Sequence, residues 1–325
     1  MSDTLTPRRR SEESGRRRGR AHAPGGRHAN GGGPARWAFP KLPALIAVIA
    51  LIGLSVWMYP NVAAWFNQLD QSKIIGNSAT VTDGHAADNA RQLKLAREYN
   101  NKLDYGATVA PGQRLPQGKS SEGALKYADM LQDHSTGVMS RLKIPGIHLD
   151  LPIYHGTSDE TLLKGLGHLE GTSLPVGGKG THAVITGHRG LADATMFTHL
   201  DKVKKGDSFT LTTFGEVLAY QVVNVKVVNP DQTESLRPYA DRDLVTLVTC
   251  TPIGINSQRI LVTAERVFPT PASDEASGRA VPDEPGFPWW AVALGGGVVV
   301  AVGYVWWSGR PPRPRPAKAS RDSSR

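Results

Sequence analysis

Leu244-Val245-Thr246-Leu247-Val248-Thr249-Cys250-Thr251-Pro252 and, one polar loop later, Arg259-Ile260-Leu261-Val262-Thr263 are the two runs on which the reading of the fold turns. Both are rich in β-branched residues and are separated by Pro, Gly and Asn, which is the composition of strands and their turns. Side chains alternate across a strand, so Leu244, Thr246, Val248 and Cys250 share one face, while Arg259 shares a face with Leu261 and Thr263. Pairing the runs as an antiparallel hairpin joined by Thr251 to Gln258 sets Cys250 opposite Arg259 at the loop end of the ladder.

The same texture extends outward. From about residue 137 the chain reads as strands at Met139–Ile144, His148–Tyr154, His182–Thr186, Phe209–Thr213, Val217–Val228, Leu244–Cys250 and Arg259–Val267. Phe214-Gly215-Glu216 marks a hairpin turn, and short helices are expected at Asp159–Gly165 and Ala192–Leu200. Many short strands with few helices predict a mainly β domain over 137–268, a closed barrel that leaves little exposed edge. At about 130 residues it is long enough for one sizeable core.

Two apolar stretches flank this domain. Leu42–Met58 is 17 residues long and Trp289–Trp307 is 19, with Trp289 and Trp290 at one end and Trp306 and Trp307 at the other. Such lengths cross a hydrocarbon layer of ~30 Å, and paired tryptophans suit both interfaces. We therefore read 42–60 as a transmembrane helix or signal anchor and 289–307 as a second transmembrane helix. Val62-Ala63-Ala64 also offers a small-residue cleavage site, so a cleaved signal peptide is the alternative for the first.

Charge orients both spans. Residues 1–41 carry a net charge of +7 and residues 308–325 a net of +5, against +9 for the whole chain, leaving the part between near −3. Lys and Arg near span ends are retained in the cytoplasm. Both basic tails are thus expected inside and the β domain outside the cell membrane. A nucleic-acid reader would carry its positive charge on the folded module, and this chain does not.

The remaining segments read as connections. Residues 61–136 are an extracellular lead-in, with a helix over Asp88–Leu103 carrying Leu93, Ala96, Tyr99 and Leu103 at helical spacing, then a Gly-, Pro- and Ser-rich loop. Residues 269–288 contain Pro269, Pro271, Pro282, Pro285 and Pro288 and predict an extended spacer that lets the barrel stand off the membrane.

Cys250 is the only cysteine of the chain, which excludes an intrachain disulfide. In an exported domain a lone thiol signals a reactive or intermolecular group. A thiolate attacking a carbonyl needs a donor for the oxyanion and a group that moves protons, the latter best supplied by histidine near neutral pH. Among the ten histidines, His188 is the candidate, because Thr186-Gly187-His188-Arg189-Gly190 ends a strand between glycines and presents the imidazole at a rim. His155 and His168 read as loop-ordering residues, and His182 and His199 have no catalytic case. Backbone N–H groups at Thr249 and Thr251 are candidates for oxyanion contact, with the Thr249 side chain on the face opposite Cys250.

These motifs, with Leu151-Pro152-Ile153-Tyr154-His155-Gly156-Thr157 and Gly167-His168-Leu169-Glu170-Gly171-Thr172-Ser173-Leu174-Pro175, resemble the class C sortases, pilin-polymerising cysteine transpeptidases of Gram-positive bacteria. The resemblance implies a barrel of about eight strands. It also implies cleavage of a Leu-Pro-x-Thr-Gly-type (LPXTG) sorting signal between Thr and Gly, with Cys250 as nucleophile, His188 as acid and base, and Arg259 holding substrate and oxyanion. The implied partners are pilin or surface proteins bearing that signal, with a pilin lysine as acceptor. No metal or organic cofactor is implied. The family's Asp-Pro-aromatic lid motif does not occur here; Asp104-Tyr105 and Asp129-Met130 are the nearest candidates. Attachment of surface proteins or pili to peptidoglycan is the alternative within the family, and a non-catalytic membrane-tethered β-domain scaffold is the alternative outside it.

Overall fold

The computed structural model describes residues 36–103, 126–232 and 234–311. Residues 1–35 and 312–325 of the basic tails and the Gly/Pro/Ser-rich loop, with Asp104 and Tyr105, lie outside the described residues.

Eight strands form where alternation and β-branched content predict them, with one addition. They are β1 (Ser140–Ile144), β2 (Leu149–His155), β3 (Leu166–His168), β4 (Thr181–Thr186), β5 (Ser208–Thr213), β6 (Glu216–Val228), β7 (Asp243–Thr251) and β8 (Gln258–Arg266). They close into a barrel in the order β1-β2-β3-β4-β7-β8-β6-β5. The pairs β2/β3 and β4/β7 are parallel and the others antiparallel. Parallel neighbours need a crossover. A short helix over Asp159–Lys164 supplies the first, capped by the Ser158 hydroxyl accepting from Thr161 N–H, and the β5–β6 hairpin lies within the second. That hairpin turns at Phe214 and Gly215, both at positive φ (47° and 84°), as a two-residue primed turn requires.

The barrel interior collects one face of each strand: Leu142, Ile153, Leu166, Ala183, Ile185, Leu211, Val245, Leu247, Ile260 and Val262 among others. Each fully buried large apolar side chain contributes roughly 1.5–3 kcal/mol. The opposite face of β4, β7 and β8 carries a smaller cluster of Val184, Val248 and Leu261 beneath Leu169.

The lead-in is longer and more regular than its sequence suggests. A single helix, α1, runs from Lys41 to Gly84. At 1.5 Å per residue its 44 residues span about 66 Å, twice a hydrocarbon layer. Its first half packs against the carboxyl-terminal helix over Trp289–Ser308, and both helices are long and apolar enough to cross a membrane. At one end of this hairpin Trp37 Nε1 donates to Trp306 O (3.1 Å) and Ala38 N–H to Gly309 O (3.2 Å). At the other, Trp65 Nε1 donates to Gly286 O (2.8 Å), and the Trp65 and Phe66 rings lie 6.0 and 5.8 Å from that of Trp290.

The second half of α1 lies on the barrel, burying Gln71, Ser72 and Ile75. α2 (Ala86–Lys102) follows the expected helical stripe, burying Leu93, Ala96 and Tyr99. Its Asn100 side chain exchanges two hydrogen bonds with the Leu174 backbone (3.0 and 2.7 Å).

Two expectations are corrected. Ala192–Leu200 is not a helix but a run of turns ending in a 3-10 turn at Leu200–Lys202. Its backbone is used elsewhere: Phe197 N–H donates to His188 O (2.9 Å), and Arg189 Nε donates to Thr198 O (3.2 Å). The Pro-rich stretch is not an extended stand-off spacer. It forms a helix over Ala272–Arg279 and is fastened to the barrel, since Arg141 Nη1 donates to Gly278 O and Ala280 O and Lys143 pairs with Asp283 (2.8 Å). Arg141 is itself held by Asp150 in a buried ion pair (2.5 Å), and Asp150 also accepts from Asp283 N–H (3.1 Å). These cations need partners on burial, and the strap's carbonyls and Asp283 complete the set.

Candidate active site

The ladder of β4, β7 and β8 builds the site. Cys250 and Arg259 are direct register partners in the antiparallel β7–β8 pair. β4 and β7 run parallel with Thr186 beside Val248, and Gly187 N–H extends the ladder to Val248 O (3.1 Å). His188 lies two residues past Thr186, beyond the end of β4, as Cys250 lies two past Val248 on β7. Neighbouring strands are ~4.8 Å apart. Cys250 follows Val248 and Arg259 precedes Leu261 along their strands, so both side chains belong to the barrel's outer face.

Cys250 and Arg259 are 6% and 5% exposed. Leu162, from the crossover helix after β2, packs directly against the cysteine. Arg259 Nη1 donates to Asn256 O and Gln258 O (both 2.9 Å), which lays the guanidinium along the base of the β7–β8 loop. In such a shielded place a cation acts on a developing oxyanion more strongly than in water.

The flanking threonines serve the scaffold. Thr249 is fully buried on the interior face, and its hydroxyl donates to Gly187 O (2.8 Å), tying β7 to the turn that carries His188. Thr251 Oγ1 accepts from Arg189 Nη1 (2.8 Å). Arg189, to which the sequence reading gave no role, was hidden because its partners lie nine to 62 positions away.

Other candidates fall elsewhere. Asp129 is exposed, while Met130 is buried with Leu93, Tyr99 and Leu174, in a cluster separate from that of Cys250. His155 Nε2 donates to Met130 O (2.6 Å), and burial lowers its pKa. His168 is fully buried and stays neutral: burial pushes its pKa down to about 4, against the opposing bond its Nε2 donates to Ser173 O (2.7 Å). Its Nδ1 faces the Tyr127 hydroxyl at 3.0 Å. Both histidines order the segment entering the barrel. Among the described residues no group of three or more His, Cys, Asp or Glu is disposed to hold a metal ion.

The Sortase domain family matches residues 142–267. Among solved structures, sortase C-1 from Actinomyces oris is 47% identical with a TM-score of 0.51, covering 55% of this chain and 98% of that one. A lid mutant of sortase A from Corynebacterium diphtheriae is 44% identical with a TM-score of 0.51, covering 57% and 97%. Sortase A of Bacillus anthracis is 31% identical over 130 residues, 40% of this chain and 60% of that protein. The chain thus spans less than two thirds of the length of that curated relative. The chain belongs to the sortase family, a family of cysteine transpeptidases, and its likeness to sortase C structures places it in class C.

Proposed function

We propose that this protein is a membrane-anchored cysteine transpeptidase that cleaves a Leu-Pro-x-Thr-Gly-type sorting signal and joins the threonine carbonyl to a lysine amine of a pilin subunit. What supports the reading is the register that pairs Cys250 with Arg259 on β7 and β8, together with the position of His188 two residues past the end of the neighbouring β4. The Cys250 thiolate attacks the Thr carbonyl, and Arg259 steadies the oxyanion. The C–N bond to Gly breaks as His188 gives its proton to the leaving amine. A lysine ε-amine, deprotonated by His188, then attacks the thioester, forming an isopeptide bond and returning the thiol. The two apolar helices hold the barrel on the outer side of the cell membrane, with both basic tails in the cytoplasm.

The test uses the full chain in detergent micelles with a Leu-Pro-x-Thr-Gly peptide, followed by intact mass. The expected result is an adduct on Cys250 that lacks the glycine-side product and is absent from Cys250→Ala. A lysine-bearing pilin domain and a lipid II-type amine are then offered in competition. Preference for the second shifts the reading to peptidoglycan attachment. No adduct across several signal variants, with the thiol still alkylatable, leaves the scaffold reading.

A further inference from the structure

We infer that Arg189 and Asp201 are positioning residues that clamp the His188 turn onto the strand end carrying Cys250, an inference that takes the transpeptidase reading as its frame. Arg189 is the residue after His188, and its guanidinium points away from solvent, with a side chain 9% exposed. It reaches three separate places. Nε donates to Thr198 O (3.2 Å), Nη1 to Thr251 Oγ1 (2.8 Å), and Nη2 pairs with Asp201 Oδ2 (2.9 Å). One planar fork thus joins the turn after β4, the residue following the nucleophile, and the returning segment that itself bonds His188 O through Phe197 N–H.

The two loops also meet without polar contact. Gly190 sits at φ +76°, and a Cβ there would lie 2.6 Å from Ile253 Cγ2, so only glycine lets the turn approach the β7–β8 loop this closely. Its N–H donates to Thr198 Oγ1 (3.1 Å). The bond to Thr251 spans from the His188 turn to the strand of Cys250, and the others brace that turn against the 197–201 segment; none uses the Cys250 or His188 side chain. Asp201 is 47% exposed, so the ion pair alone contributes little to folding, yet it fixes the direction of the fork.

The test compares Arg189→Lys, Asp201→Asn, Thr251→Val and Thr251→Ser in the full detergent-solubilised chain. A lysine ammonium gathers its three donors on one nitrogen and lacks the planar fork that reaches three separated acceptors. Arg189→Lys is expected to lower kcat about 100-fold with KM within about threefold, the signature of reacting groups out of place. Thr251→Val should lose about tenfold and Thr251→Ser restore it, while Asp201→Asn, which gives up the charge that aims the fork, should lose about threefold in kcat. A second readout needs no peptide: the pH profile of Cys250 alkylation by iodoacetamide should shift in Arg189→Lys. Parental kcat and an unshifted profile in Arg189→Lys, or loss in Thr251→Val that Thr251→Ser does not restore, would overturn the clamp. If Arg189→Lys fails to fold, the Thr251 pair decides alone. If the parent cleaves no peptide but its alkylation profile still shifts on substitution, the clamp stands and the substrate reading fails.

Discussion

The sheet of β4, β7 and β8 carries two rows of polar side chains, one toward each end, and only one of them contains a thiol. Toward the start of β7, His182, Thr246 and Thr263 form a chain: His182 Nε2 lies 2.7 Å from Thr246 Oγ1, which lies 2.9 Å from Thr263 Oγ1. His182 Nδ1 donates to Arg237 O (3.0 Å), so its Nε2 accepts, Thr246 donates to it, and Thr263 donates to Thr246. Burial lowers the His182 pKa and keeps the ring neutral. Four residues along β7 and β8 stand Cys250 and Arg259, and six residues along the chain from His182 stands His188. Both rows lie on the same sheet, though His182 is in register with Leu244, two residues before Thr246, and His188 lies past the end of β4; the chemical difference is that a hydroxyl with no route to deprotonation is replaced by a thiol, beside a permanent cation and a turn. Histidine on a strand is therefore not itself a catalytic signal; the group beside it decides.

The largest expected effects lie in the second row. Cys250→Ala should yield no detectable transpeptidation with an unchanged fold, checked by peptide turnover and circular dichroism. His188→Ala should cost about 10²–10⁴-fold in kcat, the usual worth of positioned acid–base groups. Arg259→Lys keeps the charge but not the fork, and a loss of about 10²–10³-fold in kcat is expected. Activity of Arg259→Lys within a few-fold of the parent would show that the chemical difference between the two rows is the thiol alone.

His168 extends the contrast to pH. An unfolded histidine titrates near 6.5 and this one near 4, so the folded state binds fewer protons between those values. Its contribution is whole above pH 6.5 and is lost as pH falls toward 4, amounting to about 3 kcal/mol. His155 and His182, lowered in the same direction, add to this slope. Urea unfolding at pH 7 and pH 4.5 should show the loss, and His168→Gln should flatten the pH dependence even though it lowers stability at pH 7.

How much of this was legible follows from the range of each interaction. Seven strands and the Cys250–Arg259 pairing could be read because alternation and a short loop are local. β3 was missed because three residues with Gly167 at the centre show no alternation; the strand exists only because β2 and β4 flank it. The outer half of α1 was read as loop-bearing lead-in, since Gln71 and Ser72, buried against the barrel and strap, look solvent-facing in sequence. The strap and Arg189 were hidden for the same reason: Arg141 meets Gly278 across 137 positions, and Arg189 meets Thr251 across 62.

The smallest expected effect bears most directly on the comparison. Thr246 is fully buried, and Thr246→Val keeps its shape while deleting the hydroxyl between His182 and Thr263. The substitution strands one imidazole nitrogen and one hydroxyl, and an unsatisfied buried group costs about 1–3 kcal/mol. Unfolding should shift by that amount, while kcat and KM stay at the parental values, because this row touches none of the site residues. A fall in kcat without a fall in stability would mean that the rows communicate along β7. The shared strand would then be a coupling element as well as a support, and the separation argued from register would fail.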